Sequence, residues 1–159
     1  MAYDEDTPSR RELAIRAFVS LLEESGGPTD LLVHRFRGVP ITKDQCPATL
    51  VYPISDPGEV DEHGVTYGRA LLIRVEHRVK GAGVSVDATS PDELLDPLLC
   101  WAVYQVLADR RLGGLCTDIN LVGTQWDSLE VDEHYGAAAQ DFEILYEHDE
   151  GNLTTLDGS

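Results

Sequence analysis

The sequence has little positive charge and no long apolar segment. Its 159 residues include 12 Lys and Arg against 29 Asp and Glu, which gives a formal net charge of −17. A chain this acidic lacks the cationic patch that neutralises phosphates, so the composition argues against gripping nucleic acid and against a basic helix on a membrane surface. No apolar run approaches the roughly 20 residues that cross a bilayer. The acidic residues 1–6 do not resemble a signal peptide, and we expect no membrane contact.

Cysteine and lysine are also scarce. The three cysteines, Cys46, Cys100 and Cys116, show no C-x-x-C spacing, which indicates a reducing compartment without a disulfide framework. Cys100 lies in the apolar run 98–101 and is expected to be a small core residue. Only two of the 12 cations are lysines. An Asp-rich, Lys-poor surface stays solvated at high salt, which favours a halophilic source; the alternative is an acidic surface that simply repels like-charged neighbours.

The negative charge is concentrated in the second half. Residues 1–85 carry 13 acids and 10 bases, whereas residues 86–159 carry 16 acids and two bases, Arg110 and Arg111. These two arginines follow an apolar helical pattern. They either match the negative end of the helix dipole or form a salt bridge with a neighbouring subunit.

Apolar spacing predicts two helices. The first begins near Thr7-Pro8, or at the Ser9-x-x-Glu12 capping box, and ends at residues 26–28. The second begins with the capping box at Ser90-Pro91 and ends at Gly113-Gly114. Pro97 should either kink this second helix or move its start to about Asp96.

Alternating patterns predict five strands. They cover residues 31–36, 48–52, 71–79, 119–126 and 138–146. Gly123 indicates a bulge, residues 55–68 an exposed loop or hairpin end, and the chain is expected to fray from His148 onward. We predict a single α+β domain over residues 1–150, with a mainly antiparallel sheet of four to five strands, two helices packed on one face and a flexible acidic tail at 151–159.

A short acidic motif that occurs twice is the best candidate for a metal-binding or catalytic site. Asp61, Glu62 and His63 recur as Asp-Glu-His at residues 132–134, and each copy could offer oxygen and nitrogen ligands to a divalent cation. Gly-flanked acids are equally typical of solvated loops in so acidic a chain. No nucleophile accompanies either copy, so we expect no metal, no cofactor and no catalytic residue, and hence no enzyme.

Three aromatic side chains have simpler interpretations. His77 shares the apolar face of its strand and is expected to be a hydrogen-bonded core or interface residue. Trp101 has apolar helical neighbours and should pack in the core. Trp126 ends a strand beside an acid and is a candidate anchor of a protein–protein interface, where tryptophan is enriched.

Three segments of the second half carry a family resemblance. Residues 96–115 contain Leu-Ala-Asp-Arg-Arg-Leu-Gly-Gly, residues 118–127 contain Gly-Thr-Gln-Trp, and residues 135–146 contain Ala-x-x-x-Phe-x-Ile-x-Tyr. In order and spacing they resemble the tail-terminator and minor-tail proteins of long-tailed phages, such as the lambda-type terminator, and of related gene-transfer particles. Residues 90–150 match this family in pattern, and residues 7–85 match it only in the order of elements.

The resemblance implies a structural virion protein, assembled in the host cytoplasm. Such proteins form a ring, usually a hexamer, on the tail tube, stop its polymerisation and join the tail to the head-side connector. The implied partners are other copies of the chain, the tube protein and the connector, while viral DNA passes through the lumen without specific binding. A head-completion or neck adaptor is the alternative; a small metal-dependent enzyme and a cellular adaptor are further hypotheses.

The candidate interface residues for such a ring are Trp126, Arg110 and Arg111, together with the loop residues Asp61, Glu62 and His63. The net charge predicts that the lumen is acidic or neutral, because carboxylates repel DNA phosphates. It also predicts that assembly needs salt to screen repulsion between subunits.

Overall fold

The computed structural model describes residues 6–24, 27, 31–35, 41–60, 66–80, 90–127 and 135–149. The elements in chain order are α1 (Arg10–Glu24), β1 (Leu32–Arg35), β2 (Ala48–Ser55), β3 (Gly58–Val60), β4 (Thr66–Lys80), α2 (Pro91–Ala108), β5 (Asp118–Trp126) and β6 (Tyr135–Asp149). Two short 3₁₀ turns, Lys43–Gln45 and Leu112–Gly114, lie between them.

The fold belongs to the α+β class and its sheet is mostly antiparallel, as predicted. Five strands lie in the order β1-β2-β4-β6-β5, and the short β3 pairs with the beginning of β4. Among the strands that the structure describes, only β1 and β2 pair in parallel. The long strands β4 and β6 pair over 15 residues each, from Thr66 opposite Asp149 to Lys80 opposite Tyr135. Residues 55–68, predicted to be a loop or hairpin end, contain β3 and the beginning of β4, which pair as an antiparallel hairpin.

The core lies between this sheet and both helices. Leu71, Ile73 and Val75 alternate along β4 with half-buried residues, and each is fully buried. Phe18 of α1 meets Phe142 of β6 edge to face, with ring centroids 5.6 Å apart. Ala102 and Val106 of α2 join the same cluster, so both helices cover one face of the sheet. Burying such apolar surface supplies the main driving force for this arrangement.

The two helices differ in how their first turns are capped. The Ser9 alternative is confirmed for α1, because the Ser9 hydroxyl accepts a hydrogen bond from the Glu12 backbone N–H at 3.0 Å. In α2 the Ser90 side chain makes no cap bond, and its carbonyl accepts the first helical bond from Leu94. The predicted shift of the start to Asp96 is wrong: the helix begins at Pro91, which is buried, and exposed Pro97 lies inside it.

The structure also tests the predicted end of α2, the bulge in β5 and the end of β6. Helix α2 ends at Ala108, and Gly113 and Gly114 instead form the following 3₁₀ turn with positive φ angles of 67° and 98°. The predicted bulge in β5 is confirmed by a register shift between Leu121 and Gly123. Fraying from His148 is wrong, because β6 continues to Asp149 and His148 is buried against β4.

Cys100 is exposed, which contradicts its predicted place in the core. Successive helical residues are rotated by about 100°, and Leu99 already points toward the sheet, so Cys100 faces outward. Cys116, by contrast, is buried. The predicted tail at 151–159 lies outside the described residues.

Candidate functional site

Trp126 is a large exposed side chain at the end of the edge strand β5. It is 57% exposed. Its register partner is Ala138, which is buried beneath the helices, so Trp126 lies on the helix-covered side of the sheet. The indole is thus accessible to another molecule, and its role as an interface anchor stays a prediction.

An acidic hollow lies between Trp126 and the first turns of α2. Its volume is about 530 Å³, and it is lined by Asp92, Glu93, Asp96 and Trp126. Asp92 and Glu93 lie in the first turn of α2, where the positive end of the helix dipole favours carboxylates, and Asp96 lies in the next turn. Three carboxylates and an indole ring around one hollow make a surface that attracts a cationic side chain.

Arg110 and Arg111 follow the other end of α2 and behave differently. Arg110 holds Asp118, the first residue of β5, with Nε 2.8 Å from Oδ1, and its Nη2 donates to Asn120 Oδ1 at 3.2 Å. The Arg110 guanidinium lowers the pKa of Asp118 below its usual range, helped by the Ile119 backbone N–H. Arg111 is exposed and forms no ion pair within the described ranges. Arg110 is thus engaged inside the chain, whereas Arg111 is available to another molecule.

An uncharged surface joins these two ends. No charged residue lies between Asp96 and Asp109 in α2 or between Asp118 and Asp127 in β5. We call the α2–β5 strip five residues along this side: the exposed Cys100, Leu121 and Trp126, and the half-buried Val103 and Leu107, which also pack against the core.

Helix geometry places the strip toward β5. Asp92, Asp96, Cys100, Val103 and Leu107 follow one another at intervals of four, four, three and four residues, so they share one flank of α2. Because Asp92 and Asp96 line the hollow with Trp126, that flank is turned toward β5. Leu121 is 40% exposed and pairs with buried Phe142, which puts it on the same side of the sheet.

Two further large apolar side chains are exposed near the strip. Tyr104, on the outer surface of α2, is 74% exposed, and Val122, in the β5 bulge, is 58% exposed. Isolated exposed apolar residues are common in soluble proteins. Their grouping around an uncharged stretch, in a chain of charge −17, is typical of a contact surface.

The two Asp-Glu-His loops, which include Asp61, Glu62 and His63, lie outside the described residues. The structure describes the strands on either side of the first loop, where Val60 pairs with Tyr67. Over the described ranges, no group of three or more His, Cys, Asp or Glu side chains is arranged to hold a metal ion. In the same ranges, no helix is long and apolar enough to cross a bilayer.

A buried polar chain crosses the sheet beneath α2. The Thr49 hydroxyl lies 2.9 Å from His77 Nδ1, and His77 Nε2 lies 3.0 Å from Gln140 Oε1. The Gln140 amide then donates to the Leu99 carbonyl of α2 at 3.0 Å. Because that carbonyl only accepts, the amide oxygen faces His77, so Nε2 of the imidazole carries the proton and Nδ1 accepts from Thr49.

This chain confirms the interpretation of His77 as a hydrogen-bonded core residue. All three side chains are at most 1% exposed. Burial lowers the pKa of His77 from 6.5 to about 4, against an opposing effect of the Gln140 hydrogen bond. Sequence analysis missed Thr49 and Gln140, although both occupy core-facing positions of alternating strands, next to Val51 and Phe142.

A second polar cluster, also missed, lies at the end of β2. Asp56 Oδ2 accepts from the Tyr146 hydroxyl at 2.7 Å and from Arg11 Nη1 at 3.1 Å. Arg69 donates to the Asp56 carbonyl and to Nε2 of buried His148. Burial, together with the bond to Asp56, raises the pKa of Tyr146. The cluster ties α1 to the central strands; no sequence motif signals it, because its members are distant along the chain.

No protein-family model and no curated protein matches the chain. The resemblance to tail terminators therefore depends on the residues of the second half alone.

Proposed function

We propose that the chain is a structural protein of a tailed virus particle, namely a tail terminator. Its copies form a ring on the end of the tail tube, and the ring has six subunits, as is usual in the proteins that the chain resembles. The ring stops tube polymerisation and presents its other face to the head-side connector. The protein acts by contact and does no chemistry.

The observation that carries the proposal is the connection between the three segments that resemble terminators. The first ends in the positive-φ turn Leu112–Gly114, the second is the bulged strand β5, and the third is β6. Arg110 joins the first segment to the beginning of β5, and β5 pairs with β6 along its length. The segments thus form one continuous side of the domain, which also carries the exposed Trp126.

Charges on the helix-free face of the sheet agree with passage of DNA without binding. Arg74 makes a two-pronged contact with Asp141, at 2.8 and 3.0 Å, and Arg78 lies 2.6 Å from Glu76. Both arginines are neutralised by carboxylates of the same face. A phosphate would have to displace those partners, which weakens any electrostatic grip on DNA.

Tube assembly in vitro tests the proposal. Purified chain is added to polymerising tail-tube protein of the same virus, and tube lengths and tube ends are measured by electron microscopy. We expect shorter tubes that each carry a ring at one end. Trp126→Ala should weaken this effect, and Gln125→Ala, which changes an exposed neighbour on the opposite face of β5, should not.

Tubes of unchanged length without terminal rings would contradict the proposal. Binding to the connector without any effect on tube length would favour the neck adaptor instead.

A further inference from the structure

We propose that the α2–β5 strip is a two-fold contact between two copies of this chain, in which the two α2 helices lie antiparallel. The occupant of the strip is the same strip on a second molecule. A two-fold contact closes after two copies, whereas a ring needs a contact that repeats. The dimer is therefore a different contact from the proposed ring and does not depend on it; because Trp126 is a candidate residue for both, one copy cannot use that side chain in the two contacts at once.

Charge complementarity points to a second copy as the partner. One end of the strip carries the hollow with Asp92, Glu93 and Asp96, and the other end carries exposed Arg111. When two strips face each other in opposite directions, Arg111 of each copy meets the acidic hollow of the other. Both ends are satisfied at once, and an arginine can also stack on the Trp126 ring there.

The rest of the strip suits the centre of such a contact. Protein interfaces combine a core depleted in charge with a polar rim, and aromatic residues and arginine are enriched in them. The strip has this arrangement, with Cys100, Val103 and Leu107 between its charged ends. For a chain of charge −17, an uncharged side is where two copies can approach at the lowest electrostatic cost.

The symmetry fixes which residues meet. Helix α2 runs from Pro91 to Ala108, about 27 Å at 1.5 Å per residue, and Cys100 stands at its middle. A two-fold axis through the middle of the contact brings Cys100 of one copy next to Cys100 of the other. The same axis places Leu107 of one copy near Asp92 of the other, at opposite ends of the helices.

Thiol cross-linking tests this geometry directly. Diamide accepts two electrons and two protons as two thiols form a disulfide, and peptide mapping identifies the joined cysteines. The chain is used at about 100 µM in high salt, because a weak contact is populated only at high concentration and because salt screens the net repulsion. We expect a cross-linked dimer through Cys100, and none in Cys100→Ser.

A matched pair of variants tests the axis. In the Cys100→Ser background, Leu107→Cys should not cross-link to itself, whereas Leu107→Cys combined with Asp92→Cys should. Efficient self-cross-linking through position 107 would overturn the two-fold arrangement, and so would a dimer that never joins through Cys100.

Charge reversal tests the ends. Arg111→Glu should weaken the dimer by about tenfold, because two contacts per dimer become repulsive. Lys80→Glu changes the net charge equally, at an exposed position that alternates with buried Val79 and so lies on the helix-free face of β4, and it should change the dissociation constant less than about twofold. Mixing Arg111→Glu with Asp96→Arg should restore association. A dimer that tolerates Arg111→Glu as well as Lys80→Glu, or a chain that stays monomeric in high salt, would refute the proposal.

Discussion

His77 and Gln140 are hydrogen-bonded to each other across the two central strands, with 3.0 Å between Nε2 and Oε1 and both side chains buried. The pair extends to Thr49 on one side and to the Leu99 carbonyl of α2 on the other. Helix α2 is thereby fixed to the sheet by direction-specific bonds in addition to apolar packing. The α2–β5 strip and the acidic hollow both depend on the position of this helix.

Stability should fall as the pH drops from about 6.5 to about 4. The folded-state pKa of His77 is about 4, below its unfolded value of 6.5. Between these values the unfolded chain binds a proton that the folded chain does not, so acid favours unfolding; above pH 6.5 the effect is absent. A shift of this size corresponds to about 3 kcal/mol. Urea unfolding at several pH values measures it.

The matched variant for this experiment is His77→Leu, which removes the titrating group. Carboxylates also titrate in part of this window, so the difference between the two pH profiles isolates the imidazole. Identical profiles for both proteins would show that His77 does not contribute to the acid sensitivity.

Replacing Gln140 with Leu should destabilise the fold by about 2–4 kcal/mol, because His77 and the Leu99 carbonyl each lose a buried partner. The control is Gln125→Leu on the adjacent strand β5, where the side chain is exposed. That change should stay within about 0.5 kcal/mol. Chemical denaturation of both variants at pH 7 compares them, and equal losses would contradict the importance of the buried chain.

Tyr146→Phe should cost about 1–3 kcal/mol, since the hydroxyl donates to a carboxylate in a largely buried setting. Tyr104→Phe removes the same hydroxyl from a side chain that is 74% exposed, and we expect little change. Thermal unfolding of the two variants measures the difference. A Tyr146→Phe protein as stable as Tyr104→Phe would show that the Asp56 cluster does not hold α1 to the sheet.

The sequence predicted those helices and strands whose residues follow a single clear pattern of apolar spacing. Alternation in β4 and β6 and the apolar spacing in α1 each point to a single face, so the sheet and the helix-covered side followed. Cys100 was misplaced because an apolar run within a helix passes through every direction, and only the packed structure shows which residues point outward. Asp56 and Tyr146 could not be paired, because they lie 90 positions apart and carry no shared motif.

The candidate site was predicted in part. Trp126 was predicted to anchor an interface from its place at a strand end; the structure shows that the side chain is exposed, and the anchor role stays a prediction. The acidic hollow was missed, since it arises only when the beginning of α2 meets the end of β5. Arg110 and Arg111 are adjacent in sequence, yet Arg110 donates hydrogen bonds to Asp118, whereas Arg111 acts on Asp118 through its charge alone. Which of the two arginines reaches Asp118 depends on the conformation of the turn between α2 and β5, and the sequence pattern does not determine that conformation.

Assembly into larger species should require salt. Six copies bring together about a hundred negative charges, and the screening length shortens from about 10 Å at 0.1 M salt to about 3 Å at 1 M. We expect sedimentation velocity to show a rising share of large species as salt increases. A ring that persists unchanged in very dilute buffer would contradict this electrostatic account.

Replacing the six residues of the two Asp-Glu-His loops with Ala should leave the fold intact and remove no chemical activity. The residues are Asp61, Glu62, His63, Asp132, Glu133 and His134. In sequence both segments are acidic and close to Gly, a pattern that predicts solvated side chains, and changes at solvated positions away from caps and buried pairs usually alter stability by about 0.5 kcal/mol. Circular dichroism and thermal unfolding check the fold of the variant.

The discriminating measurement for these loops is divalent-metal binding by calorimetry on the wild-type chain. We expect no stoichiometric binding, because the sequence places no further ligand or nucleophile beside either loop. Binding of one metal ion per chain that is lost in His63→Ala or His134→Ala would instead support a metal-dependent protein. If the loop at 61–63 contacts a neighbouring ring or the connector, the six-residue variant should fold as a monomer and fail in particle assembly, and that result would assign the acidic loop to assembly.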